Sequence, residues 1–295
     1  MGLGDLLKRL FGGVAGGGRF GVEELARRLG MTLEELQAVP VSYREFQIPK
    51  RAGGVRRIQS PNDRLKALQR RILYRLLARL KSSAYANGFE RGRSIVTNAL
   101  PHAGRAVVLK MDLKDFFTSS RDERIRRYFR RIGWDGAAAD LLTRLCTHEG
   151  GLPQGAPTSP RLSNLVNCGL DAALASIAAR AGAHYTRYAD DLTFSFAADD
   201  PSAVRQVVSA VKAVVTREGY RLHQDRKLQV RRRHHRQQVT GLVVNESVNL
   251  PRRTRRTLRA VEHHLANGKE ATLTPAQLEG WRAVRTMIAR QSQLS

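Results

Sequence analysis

Apolar residues recur along three segments of the chain with the spacing of amphipathic helices. Leucine and isoleucine return every three or four positions between residues 65 and 80, which predicts a helix with one buried face. A second helix is predicted over 159–177, with Ser159 as its N-cap and Pro160 as its first residue, because proline fits the first helical turn. Valines with the same spacing over 204–215 predict a third helix, which ends before a glycine.

Two other segments have the pattern of buried strands. The compact apolar run from Val107 to Met111 predicts a strand that ends at Asp112. Apolar and polar residues alternate between 184 and 196, around a turn at 189–191, which predicts a hairpin. The order strand, helix, hairpin, helix, strand is typical of a split βαβ sheet with helices on one face. The sequence therefore predicts an α+β fold.

The first forty residues have the features of a separate helical module. After a glycine-rich stretch at 12–18, short helices are predicted over 22–29 and 33–36, the second with Thr32 and Glu35 as a capping box. Their arrangement resembles a helix-turn-helix. The second helix opens with acidic residues, which would face phosphates unfavourably, so packing on the main body is favoured over DNA recognition.

The charge of the chain points to a polyanionic partner. Lys and Arg number 51 against 26 Asp and Glu, for a formal net charge of +25, and basic and acidic residues balance within residues 1–40. Such an excess favours nucleic acid, whose phosphates neutralise it and release counterions. The basic residues are densest between 226 and 259, where an interleaved apolar stretch at 239–244 indicates folded structure rather than a solvated charge run.

Cysteine content and hydropathy indicate the cellular compartment of the protein. The two cysteines, Cys146 and Cys168, suggest a reducing environment and lack the spacing of a zinc site. No stretch approaches the length of a membrane span, and the first twenty residues lack a cleavage signature. We therefore expect a cytoplasmic protein without a membrane partner.

Three carboxylates are the candidate catalytic groups. Asp112 ends one predicted strand and the pair Asp190 and Asp191 lies at the hairpin tip, so one edge of the sheet would bring them together. Neighbouring carboxylates stay ionised only beside a compensating cation, and oxygen ligands suit Mg²⁺ in a two-metal phosphoryl-transfer site. The alternative is a pair of aspartates that caps a turn, as is predicted for Asp199 and Asp200.

Several motifs in register extend this interpretation. Residues 188–191 (YADD) resemble the YxDD signature of reverse transcriptases, and 112–117 resemble the family's first catalytic motif. The segment 152–160 resembles its nucleotide-pocket motif, 48–56 its fingers motif, and 219–227 the motif that follows the YxDD hairpin. The resemblance covers about residues 41 to 250.

Two short elements narrow the resemblance to retron reverse transcriptases. Residues 98–102 fit an NAxxH element, and 239–241 fit a VTG element. The resemblance implies an enzyme that binds a structured noncoding RNA from its own locus and primes from the 2′-hydroxyl of an internal guanosine. The expected product is a branched RNA–DNA molecule, msDNA, which serves in anti-phage defence.

The same resemblance implies a right-hand polymerase. The expected segments are an N-terminal extension at 1–40, fingers at 41–105 with part of 145–160, a palm at 106–245 and a thumb at 246–295. The thumb is expected to be helical, with Leu258, Val261, His264 and Leu265 on one face.

Roles for individual residues follow from the chemistry and the resemblance together. The expected ligands of two Mg²⁺ ions are Asp112, Asp190, Asp191 and the backbone carbonyl of Leu113. Lys227 is expected to protonate pyrophosphate or to contact phosphate. The residues expected to bind the dNTP are Lys50, Arg56 (with Arg57 as an alternative), Phe117 and Gln154. The residues expected to bind nucleic acid are Asn98, His102, Thr240, Gly241, Arg252, Arg253, Arg255 and Arg256.

Two alternatives stay open. One is another bacterial reverse transcriptase, of the group II intron or diversity-generating type; the intact QGxxxSP pattern at 154–160 and the short C-terminal region favour the retron type. The other is a catalytically idle RNA-binding relative, against which the joint presence of the candidate catalytic residues argues. The expected partners are the cognate RNA, the RNA–DNA hybrid, dNTPs and an effector protein. Because the sequence has no visible RNase H motif, a host RNase H is expected to remove the template.

Overall fold

The computed structural model describes residues 19–49, 53–223 and 228–293. The chain divides into two compact units, the first formed by Met1–Ser83 with Asp115–Gly169 and the second by Ala84–Lys114 with Leu170–Ser295. Each unit therefore combines parts of the predicted fingers and palm segments. The glycine-rich stretch, Lys50 and Lys227 lie outside the described residues.

The secondary structure alternates helices with short strands, as the sequence pattern predicts. The strands are β1 (Tyr43–Pro49), β2 (Val55–Pro61), β3 (Val107–Asp112), β4 (Ala183–Tyr188), β5 (Asp191–Phe196), β6 (Gln229–Arg232), β7 (Gln238–Val239) and β8 (Leu242–Val243). The α-helices are α1 (Val22–Leu29), α2 (Leu33–Gln37), α3 (Asp63–Ile72), α4 (Ile95–Ala99), α5 (Phe116–Ser119), α6 (Asp122–Arg131), α7 (Gly136–Cys146), α8 (Ser159–Val166), α9 (Cys168–Arg180), α10 (Pro201–Arg217), α11 (Arg252–Ala266) and α12 (Pro275–Ser292). The α+β prediction is confirmed.

The first unit packs its helices around an apolar core and carries the β1–β2 hairpin. The predicted N-terminal pair is present as α1 and α2, with the Thr32 and Glu35 capping box formed. Leu25, Leu29 and Leu36 are fully buried in the same core as residues of α3, α6 and α7. Packing on the main body is thus confirmed for this module. The segment 65–80 is α-helical to Ile72 and then forms a π-helical turn, Leu73–Leu77.

The predicted single helix over 159–177 is wrong in two details. Ser159 is the first helical residue rather than the N-cap, and the helix is interrupted at Asn167, between α8 and α9. The Asn167 side chain donates to the Ser163 carbonyl over 2.8 Å, which is the acceptor that the backbone amide of residue 167 would use in a continuous helix. The side chain thus competes with the backbone and ends the helix.

The second unit is built on an antiparallel sheet with the strand order β4-β5-β3-β6. The predicted hairpin is present as β4 and β5, joined at Ala189 and Asp190. Asp200 caps α10, as expected, by accepting hydrogen bonds from the Ser202 and Ala203 amides. A separate apolar core joins α4, the β7–β8 hairpin, α11 and α12.

The C-terminal region is helical, as expected for the thumb segment, but the predicted apolar face is only partly right. Leu258 and Val261 of α11 are buried, at 2% and 3% exposure. His264 and Leu265 are exposed instead. Among the described residues no single helix is long and apolar enough to cross a membrane, although α8 and α9 taken as a pair reach the required length and hydropathy.

Candidate active site

The three predicted catalytic carboxylates lie at one edge of the sheet in the second unit. Strand β3 ends at Asp112 and β5 begins at Asp191, and the antiparallel register places these two residues opposite each other. Asp190 lies in the intervening turn of the hairpin, and its carbonyl accepts a hydrogen bond from the Leu113 amide over 3.0 Å. The fold therefore brings together residues that are 78 or more positions apart in the sequence.

His223 is a neighbour of this site that the sequence did not indicate. Its Nε2 lies 3.5 Å from Asp112 Oδ1, and its backbone amide donates to the Asp112 carbonyl over 2.9 Å. Asp112 retains only 11% side-chain exposure. His223 follows the glycine that ends α10, so its position depends on a pairing between distant segments that no local pattern encodes.

Oxygen atoms dominate the donor set at this sheet edge. The pairing of Leu113 with Leu222 uses the Asp112 carbonyl and the Lys114 amide, and so leaves the Leu113 carbonyl outside that ladder. Three carboxylates and a backbone carbonyl are the ligands that a hard divalent cation prefers. The residues present thus fit a divalent metal, and their individual roles as ligands stay predictions.

The first unit carries the described residues predicted to bind the nucleotide. Phe117 is half-buried against the apolar core of this unit, and its ring centroid lies 5.7 Å from that of Phe116. The Gln154 carbonyl accepts a hydrogen bond from the Gln59 amide over 2.9 Å. Gly155 has φ +138°, and a Cβ there would lie 2.8 Å from the Gln59 carbonyl oxygen. The close approach requires glycine and fixes the Gln154 backbone.

The structure separates the two arginine candidates on β2. Arg57 donates to Glu45 over 2.6 Å and to Glu149 over 3.0 Å, so its guanidinium is held by two carboxylates of the same unit. These hydrogen bonds raise the pKa of Arg57 above its ordinary value. Arg56 is exposed. Of the two, Arg56 is the better candidate for a triphosphate contact.

Asn98 and His102 do not lie where RNA could reach them. Asn98 is 1% exposed and His102 is fully buried. The two ring nitrogens of His102 lie 2.7 Å from Ser195 Oγ and 2.8 Å from Thr186 Oγ1, on β5 and β4. The expectation that these side chains bind nucleic acid is therefore wrong for this structure: His102 ties the turn after α4 to the sheet.

The VTG element forms a tight turn in contact with the NAxxH helix. Thr240 and Gly241 have φ values of +45° and +85°, the signs that a two-residue type I′ hairpin turn requires. The Thr240 hydroxyl donates to the Ile95 carbonyl over 2.9 Å, and Val239 packs in the same core as Val96. The hydroxyl thus has a structural partner, while Gly241 is exposed and its predicted RNA contact stays a prediction.

The predicted basic track, residues 226–259, includes the N-terminus of α11. Arg252, Arg253, Arg255 and Arg256 are all exposed, and they occupy the first turn and a half of this helix. Exposed arginines in this arrangement are suited to phosphate contacts, and their role stays a prediction.

The burial of His102 predicts how stability depends on pH. Burial, reinforced by the positive charges of His184 and Arg105, lowers the pKa of His102 from 6.5 to about 3. The unfolded chain takes up this proton below pH 6.5 and the folded chain does not, so stability is complete above pH 6.5 and is lost as the pH falls toward 3. We expect His102 to contribute a loss of about 1.4 kcal/mol per pH unit in this window.

Urea unfolding of the wild type and of His102→Gln at pH 7, 6, 5 and 4 measures this contribution. The variant should be less stable at pH 7 and should show a shallower loss toward pH 4. His263→Gln, at an exposed position on α11, is the matched control and should leave the slope of the wild type unchanged. Equal slopes for wild type and His102→Gln would contradict the assignment.

Comparisons with known proteins identify the family that this chain resembles. The family described as reverse transcriptase (RNA-dependent DNA polymerase) matches residues 48–244. The chain is 40% identical over 292 residues to the retron Mx65 reverse transcriptase of Myxococcus xanthus, which covers 90% of this chain and 68% of that protein. It is 40% identical to the retron Mx162 reverse transcriptase of the same organism, over 84% of this chain and 59% of that protein. It is 35% identical to the retron Ec86 reverse transcriptase of Escherichia coli, over 81% of this chain and 74% of that protein.

Proposed function

Since this chain belongs to the retron reverse transcriptases, we propose that it copies a structured noncoding RNA from its own locus into branched msDNA by two-metal nucleotidyl transfer. As a member of that family it is an RNA-directed DNA polymerase with a right-hand fold, and the family depends on divalent metal. The observation that carries the proposal is the register that sets Asp112 opposite Asp191 with Asp190 in the adjoining turn.

The sheet edge supplies the ligands for two Mg²⁺ ions. Asp112 and Asp190 are the main carboxylate ligands, the Leu113 carbonyl is a further ligand, and Asp191 contributes charge and geometry. When bound, the two ions lower the pKa of the attacking hydroxyl and stabilise the charge that develops on the leaving pyrophosphate. The backbone pairing of β3 with β5 fixes the main chain at Asp112 and Asp191, and ligands held in advance would lower the cost of metal binding. Lys227 donates a proton to pyrophosphate or contacts its phosphates.

Residues of the first unit recognise the incoming dNTP. Lys50 and Arg56 contact the triphosphate, Arg56 through a bidentate fork and Lys50 as a point charge. Gln154 donates from its side-chain amide to the sugar or phosphate. Its backbone carbonyl already accepts a hydrogen bond from the Gln59 amide. The proposed role of the Phe117 ring is to exclude a ribose 2′-hydroxyl.

Truncating Phe117 should weaken the choice between sugars. We expect Phe117→Ala to raise ribonucleotide incorporation relative to deoxyribonucleotide incorporation by about tenfold or more, because the lost ring opens room for the hydroxyl and selectivity is a difference between two transition-state affinities. Single-nucleotide extension with matched dNTP and rNTP measures the ratio of kcat/KM values. Phe117→Tyr keeps the ring and is the control. An unchanged ratio in Phe117→Ala would assign the ring to packing alone.

The proposal extends to the specific substrate and the biological setting of the enzyme. We propose that priming occurs from the 2′-hydroxyl of an internal guanosine, that a host RNase H removes the template, and that the product acts with an effector protein in cytoplasmic anti-phage defence. The net charge of +25 supports a large RNA partner. The basic residues of α11 contact its phosphates.

Sequencing the nucleic acid that copurifies with the protein tests this substrate. A single structured RNA covalently joined to DNA through a 2′–5′ linkage is the expected result. Linear DNA primed from a free 3′-hydroxyl would place the chain in another reverse transcriptase lineage, and absence of primer extension with Mg²⁺ on an annealed template would favour an idle RNA-binding relative.

A further inference from the structure

A buried ion pair lies directly beneath the turn that carries Asp190 and Asp191. Arg187 of β4 and Asp171 of α9 are both fully buried. Arg187 Nε and Nη2 each donate to a different oxygen of Asp171 over 2.7 Å, which is the bidentate geometry of the strongest ion pairs. The Tyr185 hydroxyl donates to Asp171 Oδ1 over 2.9 Å. The carboxylate therefore fixes the plane of the guanidinium.

The remaining end of the guanidinium contacts the turn itself. Arg187 Nη1 donates to the Ala189 carbonyl over 3.1 Å. Ala189 has φ +56°, a left-handed conformation that costs about 1 kcal/mol or more for a residue with a Cβ. Such a conformation persists only where its surroundings enforce it. The peptide that follows Ala189 leads directly into Asp190.

A second segment of the chain also contacts the hairpin at this turn. The Arg187 amide donates to the Tyr85 carbonyl over 2.8 Å, and the Asn87 amide donates to the Arg187 carbonyl over 2.7 Å. The chain at Gly88 lies so close that a Cβ there would meet the Ala189 nitrogen at 2.8 Å. Ala189 is thus contacted both by the backbone at Gly88 and by the Arg187 guanidinium.

Stability alone does not account for this ion pair. Burying two charges is expensive, and replacing a buried pair by apolar residues of similar size is often neutral or stabilising. The contact that apolar residues could not reproduce is the hydrogen bond to the Ala189 carbonyl. Ala189, which accepts this hydrogen bond, determines the direction in which the chain enters Asp190.

We propose that Arg187 and Asp171 are positioning residues for metal binding, which hold the Ala189 turn so that Asp190 and Asp191 meet the metal in the productive arrangement. This inference rests on the metal site of the proposed function. Groups that orient metal ligands typically affect metal affinity or activity by 10- to 100-fold when they are changed. Arginine is required rather than lysine, because only the planar fork serves Asp171 and the Ala189 carbonyl together.

The decisive pair of variants is Arg187→Lys and Tyr185→Phe. Arg187→Lys keeps a positive charge beside Asp171 but removes the donor to Ala189, whereas Tyr185→Phe removes a hydrogen bond to Asp171 and leaves the turn untouched. We expect Arg187→Lys to weaken Mn²⁺ binding to the protein without nucleic acid by about tenfold, measured by electron paramagnetic resonance. Tyr185→Phe should bind Mn²⁺ as the wild type does, although both variants lower the melting temperature.

Two further measurements distinguish a local effect on the position of the turn from a general loss of stability. Hydrogen exchange of the metal-free protein should accelerate for the amides of residues 188–192 in Arg187→Lys, and not for those of β5 beyond that point. In primer extension, kcat should fall about tenfold or more while KM for dNTP stays within a factor of about two, since positioning of the catalytic ligands acts on the chemical step. Equal effects of the two variants on Mn²⁺ binding would overturn the proposal. Wild-type Mn²⁺ affinity in Arg187→Lys would overturn it as well.

A third variant covers the case in which Arg187→Lys does not fold. Arg187→Met with Asp171→Leu, made in the Tyr185→Phe background, replaces the polar cluster by apolar side chains of similar size. It should fold and unfold cooperatively, yet bind Mn²⁺ about tenfold more weakly than Tyr185→Phe. Wild-type affinity in this variant would overturn the inference while leaving the proposed function intact. If Asp190→Asn instead binds Mn²⁺ as tightly as the wild type does, the metal site of the proposed function is contradicted.

Discussion

Asp190→Asn should abolish DNA synthesis while leaving RNA affinity within about twofold of the wild type. The substitution removes one negative charge from the metal ligands at the sheet edge, and the basic residues of α11 lie on a different element. Metal stabilisation of the transition state is worth several kcal/mol, so we expect kcat to fall by about three orders of magnitude or more. Primer extension under single-turnover conditions measures the rate, and filter binding measures the affinity.

Asp199→Asn is the matched control for this experiment. Asp199 is an aspartate of the same unit, exposed and paired with Arg232 over 2.7 Å, and its loss should leave extension unchanged. Without metal, Asp190→Asn should be no less stable than the wild type, since one of the mutually repelling carboxylates is gone. Extension retained by the purified Asp190→Asn protein would refute its role as a ligand.

The carboxylates could be predicted from the sequence because local patterns mark their positions. Asp112 ends a run of buried apolar residues, and Asp190 and Asp191 interrupt an alternating hairpin. Strand pairing then brings them together, since the sheet places β3 directly beside β5. The sequence predicts these positions because a compact apolar run and a tight turn are both local signals.

The prediction that Asn98 and His102 bind nucleic acid is wrong for this structure because the sequence does not distinguish a buried polar motif from an exposed one. His102 has two hydroxyl partners, on β4 and β5, which are 84 and 93 positions away. A motif that identifies a family can therefore maintain the fold without contacting the substrate. The contact of Thr240 with Ile95 indicates the same for the second element: the two retron motifs pack against each other in one core.

The groups that support the site are the least accessible to sequence reasoning. Asp171 lies among the buried residues of α9 and Arg187 among the buried residues of β4, so neither follows the amphipathic pattern of its element. Their pairing becomes apparent only when α9 is placed against β4. Likewise, α8 ends at Asn167 because the Asn167 side chain competes with the backbone amide for the Ser163 carbonyl. The spacing of apolar residues does not indicate this competition.

Neutralising the arginines at the start of α11 should weaken RNA binding without discriminating between RNAs. Replacing Arg252, Arg253, Arg255 and Arg256 by Gln removes four exposed positive charges, and phosphate contacts position an RNA without specifying its sequence. We expect the salt dependence of log Kd to flatten by up to about three units, as up to four phosphate contacts are lost. Cognate and scrambled RNA should lose affinity alike, and binding titrations from 50 to 400 mM salt measure both.

The same variant separates binding from catalysis. Its sheet edge is intact, so it should extend a preannealed primer at low salt at the wild-type rate, yet yield no branched product from the locus RNA at physiological salt. Arg205→Gln with Arg217→Gln removes two exposed charges from α10, outside the predicted basic track. Compared with Arg252→Gln and Arg253→Gln, this control should alter the salt slope much less. A slope equally affected by both double variants would mean that net charge, rather than the α11 surface, determines RNA affinity.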